Sequence, residues 1–212
     1  YIHPNVAIRL LKVNCDSDVD LKEFNIKDNV NDISEYILTN NYEVVGISCY
    51  IWNIECILKL ASDIKKIIPS VKIAFGGPEV SFCAAEILEN HNFVDCVIIG
   101  EGEETFKELS ENGFIFEGVR GVAYRDKETI QNPPRPLVEN LDSLAFPYTD
   151  DDLSTNSNKL IYYESSRGCP YQCGYCLSSV EQGVRFVPLE KVLPNLQRFL
   201  DAKVPQVKFI DR

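Results

Sequence analysis

Short apolar runs alternate with amphipathic stretches through the first half of the chain. Mainly apolar runs of strand length occupy residues 42–47, 71–75 and 96–99. Between the first two runs, residues 53–68 carry Ile, Leu and Ala at helical spacing. Unbroken apolar strands separated by helices are typical of a parallel sheet that is covered on both faces. We therefore predict an α/β domain with a Rossmann-like parallel sheet.

Weaker patterns fill the rest of this first domain. Residues 19–26 alternate and predict an edge strand, and residues 116–125 predict one arm of a hairpin that turns near Asp126. Further helices are predicted over residues 6–11, 31–38, 84–89 and 100–109. Pro4 is expected near the first turn of the first of these helices, and Asn31 with Asp32 is expected to cap the second.

A proline-rich segment separates the first domain from the rest of the chain. Residues 132–136 (NPPRP) break regular structure, and residues 141–148 (LDSLAFPY) indicate an ordered linker. A β-α-β unit is then predicted, with its strand, helix and strand over residues 160–164, 189–200 and 207–210. We therefore predict three segments, residues 1–131, 132–158 and 159–212.

Both ends of the sequence fall inside regular patterns. Tyr1 stands directly before a predicted helix without an initiating methionine, and Arg212 follows an apolar strand. We expect a first strand to precede Tyr1 and further strands to follow Arg212, so that the chain is truncated at both ends.

Composition narrows the range of partners. Hydrophobic residues make up 45% of the 212-residue chain, with no apolar run long enough for a membrane span. The net charge of -11 argues against binding to a nucleic-acid backbone or an anionic membrane. Five of the eight cysteines are scattered through apolar sequence. This favours buried free thiols in a reducing cytoplasm.

The other three cysteines lie close together in residues 165–176 (SSRGCPYQCGYC), at spacing C-x3-C-x2-C. Three thiolates on one short loop can converge on one metal centre, and an iron–sulfur cube held by three cysteines keeps one iron open. A closed zinc site would need a fourth ligand from elsewhere, and a disulfide would leave an odd thiol. Gly168 and Gly174 are expected to let the backbone approach the cluster sulfurs.

This segment resembles the radical SAM superfamily in its cysteine spacing, in the aromatic residue before the last cysteine and in the strand that ends in Ser-Arg-Gly. The resemblance implies that Cys169, Cys173 and Cys176 ligate a 4Fe-4S cluster whose remaining iron is chelated by S-adenosyl-L-methionine. It also implies that Tyr175 lies beside the adenine, and that an electron donor such as flavodoxin or ferredoxin reduces the cluster.

The first domain resembles the cobalamin-binding domain that precedes many radical SAM barrels. The resemblance rests on GGPE after one strand, GEGE after the next and the LDSLAFPY linker. It implies that Gly76 and Gly77 lie where backbone meets the corrin ring, and that Ser48, Glu101 and Gly102 contact the nucleotide tail. The alternatives are a tight turn at the two glycines, and acidic residues that complement a helix N-terminus after Gly102.

Two further residues are candidates for the cobalt-bearing ring. The familiar base-off cobalamin motif is D-x-H-x-x-G, and the corresponding loop here reads YIHPNV, which retains only the histidine. His3 is therefore a candidate lower cobalt ligand that lacks its usual orienting aspartate, and helix-end packing is the alternative. Trp52 is a candidate for covering the corrin face, with core packing as the alternative.

The resemblance as a whole implies a cobalamin-dependent radical SAM methyltransferase that acts on an unactivated carbon through a 5'-deoxyadenosyl radical. A radical SAM oxidoreductase without methyl transfer and a non-catalytic corrinoid-binding module remain alternatives, and the sequence indicates no substrate. In this family a partial TIM barrel would continue past Arg212. We expect the chain alone to be inactive, because an open partial barrel cannot enclose a radical.

Overall fold

The computed structural model describes residues 3–156, 158–179 and 183–211. Its contacts divide the chain into two compact units. We call residues 15–137 the sheet unit, and the described residues of 1–14 and 138–212 the cysteine-loop unit.

Regular elements cover most of the described residues. In chain order they are α1 (Val6–Val13), α2 (Val30–Thr39), β1 (Val44–Ser48), α3 (Ile54–Ile67), β2 (Lys72–Gly76), α4 (Pro78–Ser81), α5 (Ala84–Asn90), β3 (Cys96–Ile98), α6 (Glu103–Glu111), β4 (Val122–Arg125), β5 (Thr129–Gln131), α7 (Asp150–Thr155), β6 (Leu160–Tyr163), β7 (Ser166–Cys169), β8 (Gly183–Phe186), α8 (Leu189–Asp201) and β9 (Gln206–Phe209).

The sheet unit is built on a sheet whose described strands follow the order β1-β2-β3-β4-β5. The first three strands are parallel, and β4 and β5 return as an antiparallel hairpin. Ile73 and Phe75, on β2, are both fully buried, and Ala74 between them is nearly so. Burial of successive residues means that both faces of the sheet are covered, as the apolar runs predicted.

Helix α3 provides much of that cover. Ala61 and Ile64 are fully buried and pack in the same core as β2, whereas Ile67, near the end of the helix, is 61% exposed. The helix begins after Asn53 and ends before Pro69, close to the predicted bounds.

Three predictions for this unit are wrong in detail. Residues 19–26 form no strand, because Asp20 accepts hydrogen bonds from the Tyr36 and Tyr42 hydroxyls and holds this segment irregularly. The cap of α2 is Asn29, whose side chain accepts from the amide of Asn31. The hairpin begins at Val122 rather than at 116, since the residues before it form turns.

The cysteine-loop unit contains the predicted β-α-β arrangement. Strand β6 pairs in parallel with β9, and α8 connects β8 to β9. Its core is aromatic: Tyr148, Tyr163 and Phe199 pack edge to face, with ring centroids 5.7–5.8 Å apart where Phe199 meets the two tyrosines. The β7–β8 hairpin was not predicted, because its strand residues are neither apolar nor regularly alternating.

Helix α1 belongs to this second unit. Val6 and Leu10 lie in the same buried core as Tyr148 and Ile161. The helix begins at Val6 with Asn5 as its cap, so Pro4 lies directly before the cap, near the first turn as predicted. The boundaries at residues 131 and 158 stay a prediction. None of the helices described is both long and apolar enough to cross a membrane.

We predict that the Ile64→Ala substitution lowers the free energy of unfolding of the sheet unit by about 2–5 kcal/mol, because it leaves a cavity under β2. The matched Ile67→Ala substitution on the same helix should change it by less than about 0.5 kcal/mol. Urea titrations followed by the fluorescence of the single tryptophan, which lies in this unit, measure both values. Similar losses in the two variants would contradict the assigned burial.

Candidate functional site

The carboxyl ends of β1, β2 and β3 form a continuous edge of the sheet. In the ladder Ser48 pairs with Gly76, and Gly76 pairs with Ile98. The predicted residue groups Ser48, Gly76–Gly77 and Glu101–Gly102 therefore all follow strands that end in one row. Ligands of parallel α/β sheets bind at such an edge.

The first two loops of this edge are packed closely on each other. The amide of Cys49 donates to the carbonyl of Gly76 at 2.7 Å, and the amide of Glu79 donates to the carbonyl of Cys49 at 3.4 Å. Gly77 has φ of 105°, and a Cβ there would lie 2.6 Å from the Cys49 oxygen. The neighbouring loop therefore already requires glycine at 77, which is the tight-turn alternative, and contact of Gly77 with a cofactor stays a prediction.

The loop after β1 presents an apolar surface to solvent. Asn53 fixes this loop, because its Nδ2 donates to the Ser48 carbonyl at 3.0 Å and its Oδ1 accepts from the Tyr50 amide at 2.7 Å. Ile51 is 77% exposed, and Trp52 is 64% exposed and stacks on Tyr50 at 4.6 Å. We call Tyr50, Ile51 and Trp52 the aromatic platform. Core packing, the alternative for Trp52, is wrong.

The third loop of the edge is open. Gly100 has φ of 77° with no atom within 4 Å of a Cβ placed on it, and its amide donates to Ser81 Oγ at 3.3 Å. Glu101 and Gly102 follow, both half-buried, and Gly102 caps α6 without a side chain. Their contact with a nucleotide tail stays a prediction.

Acidic residues occupy the first turn of α6, as the helix-end alternative predicted. Glu103 is buried, and Glu104 lies 3.6 Å from Nη1 of Arg135. Arg135 also pairs with Glu108 and donates from Nε to Thr105 Oγ1 at 2.8 Å. These acids therefore serve the helix and hold the segment that follows the hairpin.

The chemistry of this edge suits a broad, flat cofactor with a polar tail. An exposed stacked indole offers a flat apolar face, and the third loop leaves open space at Gly100. Polar atoms at Ser48 and in the loop after β3 are available at the same row of strand ends.

His3 lies in the cysteine-loop unit, just before α1. Its ring packs on Tyr162 with centroids 4.2 Å apart at an interplanar angle of 30°. This contact is the helix-end packing that was the alternative for His3. Its role as a lower cobalt ligand stays a prediction.

The three clustered cysteines lie on a loop that a β-ladder closes. Strand β7 pairs antiparallel with β8, so that Cys169 faces Gly183. Gly168 has φ of 91°, and a Cβ at this position would overlap the carbonyl oxygen of Gly183. Gly168 is thus required by its strand partner, and its approach to cluster sulfurs stays a prediction. For Gly174, where the surroundings of a Cβ are open, that expectation stays a prediction.

Within the loop, a turn brings the second and third cysteines onto one bend. The amide of Cys176 donates to the carbonyl of Cys173 at 3.0 Å, and the amide and hydroxyl of Ser179 both donate to the carbonyl of Cys176. Cys173 is exposed, Cys169 and Cys176 are half-buried, and Tyr175 is 95% exposed.

The donor set fits an iron–sulfur cluster by its chemistry, since three accessible thiols stand on one loop. Among the described residues, however, no three Cys, His, Asp or Glu side chains lie close enough together to hold a metal ion. Convergence of the sulfurs of Cys169, Cys173 and Cys176 therefore requires a local movement of the loop.

Two of the remaining five cysteines, Cys49 and Cys96, differ from these three in being fully buried. Burial raises the pKa of Cys49 to about 12, and it raises the pKa values of Cys96 and Cys83 as well. Cys49 and Cys96 are fully buried and free, as the apolar pattern predicted, whereas Cys15, Cys56 and Cys83 are only half-buried, so the prediction of burial is wrong for these three. A thiol held in its protonated form is a poor metal ligand and a poor nucleophile.

Sequence reasoning missed one polar group at the base of the cysteine loop. Asp211 follows β9 and accepts hydrogen bonds from the amides of Ser165 and Ser166 at 2.6 and 2.8 Å. Glu164 pairs with Arg167 at 2.8 Å in the same stretch. The available signal was an aspartate directly after an apolar parallel strand, at the edge where ligands and their supporting groups gather.

We predict that iodoacetamide at pH 8.5 modifies Cys173 before any other thiol and leaves Cys49 and Cys96 unmodified in the folded apo chain. An unfolded thiol has a pKa of about 8.5, whereas folding raises that of Cys49 to about 12. The part of the free energy of unfolding that comes from protonation of the Cys49 thiol is therefore fully present below about pH 8.5. It is lost as the pH rises towards 12. Peptide mass spectrometry measures the modification.

A urea-unfolded sample, in which all eight cysteines should react, is the control for this experiment. Modification of Cys49 in the folded chain at a rate similar to that of Cys173 would contradict the assigned burial.

Comparison with known proteins adds a family match. Residues 1–110 match the protein family described as the B12 binding domain. An uncharacterized methyltransferase of Pyrococcus horikoshii is 30% identical over an alignment of 194 residues, and the match covers 85% of this chain and 42% of that protein. The cobalamin-dependent radical SAM methyltransferase TokK of Streptomyces tokunonensis is 32% identical over an alignment of 147 residues, and the match covers 63% of this chain and 22% of that protein.

A solved structure shares the fold. The apo, selenomethionine-labelled cobalamin-dependent S-adenosylmethionine radical enzyme OxsB superposes with a TM-score of 0.81 at 20% identity, and the match covers 99% of this chain and 31% of that chain. The predicted α/β fold class is thereby confirmed. The chain spans less than half the length of each of these three proteins.

Proposed function

Because the chain belongs to the B12-binding domain family, we propose that it binds cobalamin at the carboxyl edge of its sheet, as part of a cobalamin-dependent radical SAM methyltransferase. The observation that carries this proposal is the coincidence, in one chain, of that family match with a C-x3-C-x2-C loop. TokK, whose name describes this activity, is similar across 63% of the chain.

The sheet edge would hold the corrinoid through side chains and backbone of three neighbouring loops. The aromatic platform supplies a flat apolar face for the ring, and its exposed indole would lose solvent contact on binding. Ser48, Gly76 and Gly77 line the first two strand ends, and Glu101 with Gly102 offers polar groups for the tail.

The cysteine loop would hold the second metal centre. Cys169, Cys173 and Cys176 are the proposed ligands of a 4Fe-4S cluster, with Tyr175 beside the adenine of S-adenosyl-L-methionine. When bound, the cluster supplies the electron that cleaves S-adenosyl-L-methionine, and cobalamin supplies the methyl group. The β7–β8 ladder pairs Cys169 with Gly183 and so fixes the two strands that flank the loop.

The proposed enzyme needs an electron donor and a methyl acceptor. A cluster that donates electrons needs a reducing protein, so we include flavodoxin or ferredoxin as the chemical class of electron donor. The net charge of -11 argues against a nucleic-acid substrate. The methyl acceptor is left unassigned.

We predict that the chain, expressed without iron reconstitution, binds cobalamin with one-to-one stoichiometry. The Trp52→Ala variant should raise Kd about tenfold, equivalent to about 1.4 kcal/mol, because the ring loses its flat apolar contact. Anaerobic titration followed by corrinoid absorption measures both values. A comparison of the absorption spectra of cobalamin bound to the wild-type chain and to the His3→Ala variant shows whether that imidazole contacts cobalt.

Ile115→Ala is the matched control for this titration. Ile115 is 60% exposed, close to the exposure of Trp52, but it follows Phe114, whose carbonyl accepts a hydrogen bond from Lys72 at the amino end of β2. Its loss should leave Kd unchanged. A wild-type chain that shows no saturable cobalamin binding, or an equal change of Kd in the two variants, would contradict a corrinoid site at the carboxyl edge.

For the cysteine loop, we predict that Cys173→Ala removes most of the iron and sulfide taken up on anaerobic reconstitution, because two thiolates hold the cluster poorly. The Cys56→Ala variant, which changes a half-buried thiol in the sheet unit, should retain the wild-type iron content. Iron and sulfide analysis with electron paramagnetic resonance measures the cluster. Equal iron content in the two variants would remove the cluster from the proposed function.

A further inference from the structure

We propose that Asp211 is a positioning residue for the cysteine loop, which it orients by fixing the backbone of Ser165 and Ser166 where the chain leaves β6. The inference rests on the proposed function only in treating that loop as the cluster-binding loop. Asp211 is assigned no contact with cluster or substrate.

The register of β6 and β9 places Asp211 beside the residues that follow β6. Tyr163 pairs with Phe209 in the parallel ladder, and the amide of Ile210 donates to the carbonyl of Tyr163 at 2.9 Å. The residue after Ile210 therefore lies beside the residues that follow β6. At this point the chain turns out of the sheet towards β7.

Both oxygens of the Asp211 carboxylate face this turn. Its Oδ1 accepts from the amides of Ser165 and Ser166 at 2.6 and 2.8 Å, and its Oδ2 accepts from the Ser165 hydroxyl. Hydrogen bonds from amides to a carboxylate are stronger than those between neutral groups. One side chain thus holds two successive backbone amides.

Ser165 is held from its other side as well. Its carbonyl accepts from the amide of Val187, directly after β8, at 2.8 Å. Ser166 is 6% exposed and begins β7, which ends at Cys169. Asp211 therefore ties the β6–β9 pair to the hairpin that carries the first cysteine and closes the loop.

The geometry predicts a local effect that an ordinary core residue would not have. In the full 212-residue apo chain, Asp211→Ala should accelerate amide hydrogen exchange at Ser165 and Ser166 about tenfold or more. Exchange at Ile210, which is bonded within the β6–β9 ladder, should change by less than about twofold. Site-resolved exchange measured by NMR reports all three amides.

Three further variants make the experiment specific. Asp211→Asn keeps an oxygen that accepts from both amides, so it should restore protection to within about threefold of wild type. Asp211→Glu keeps the charge but moves it by one methylene, so it should accelerate hydrogen exchange at the amides of Ser165 and Ser166. This variant replaces Asp211→Ala in the experiment if the alanine variant fails to fold. Asp201→Ala changes an exposed carboxylate at the end of α8 in the same unit, bonded to Gln197, and should have no effect.

Several results would overturn the assignment. Unchanged exchange at Ser165 and Ser166 in the folded alanine or glutamate variant would do so. Equal acceleration at Ile210 and at the serines would instead make Asp211 a general stabiliser of the unit. Failure of the asparagine variant to restore protection would exclude the acceptor geometry as the cause.

A cluster measurement separates this inference from the proposed function. After anaerobic reconstitution, Asp211→Ala should lose iron to a chelator about tenfold faster than wild type, and Asp211→Asn should follow wild type. If the variants show the predicted exchange at Ser165 and Ser166 but the wild-type chain takes up no iron, the proposed function is contradicted and the positioning role is supported. If the wild-type chain holds a stable cluster but Asp211→Ala leaves hydrogen exchange at Ser165 and Ser166 unaltered, only the positioning role is contradicted.

Discussion

The parallel register of β1, β2 and β3 is the constraint on which the sheet unit depends. Parallel strands need helices on both faces, and β2 buries three successive residues to meet that need. The same register places Ser48, Gly76 and Ile98 in one row. Every loop that carries a candidate cobalamin contact in this unit begins at that row. Burial of the strands and the location of the site are thus two consequences of one pairing.

Close packing of those loops divides the edge into two kinds of position. Gly77 lies against the carbonyl of Cys49, so its lack of a side chain serves the contact between loops. Trp52, by contrast, is exposed on a loop whose backbone Asn53 holds at Ser48 and Tyr50. The exposed indole lies outside the core, and its exposure on a fixed loop supports the proposed role of the platform as a binding surface.

The cysteine-loop unit rests on a different principle, the closure of a loop at its base. Gly168 lies against the Gly183 carbonyl, and Asp211 holds the turn that leads into the hairpin. These contacts fix the ends of the loop and leave the thiols of Cys173 and Cys176 accessible on a bend. The buried thiols of Cys49 and Cys96 show the opposite environment, in which desolvation keeps the proton on sulfur.

Periodicity and local chemistry in the sequence by themselves determined the alternation of strands and helices, the parallel sheet, the β-α-β unit and the cysteine triad. These follow from spacing along the chain, which a sequence carries in full. Tertiary structure alone decided that residues 19–26 are irregular, that α1 packs with Tyr148, and that Gly168 serves its strand partner. It also decided the role of Asp211, whose partners lie 46 and 45 residues away. Contacts between distant segments depend on how whole elements pack, and no local pattern records that packing.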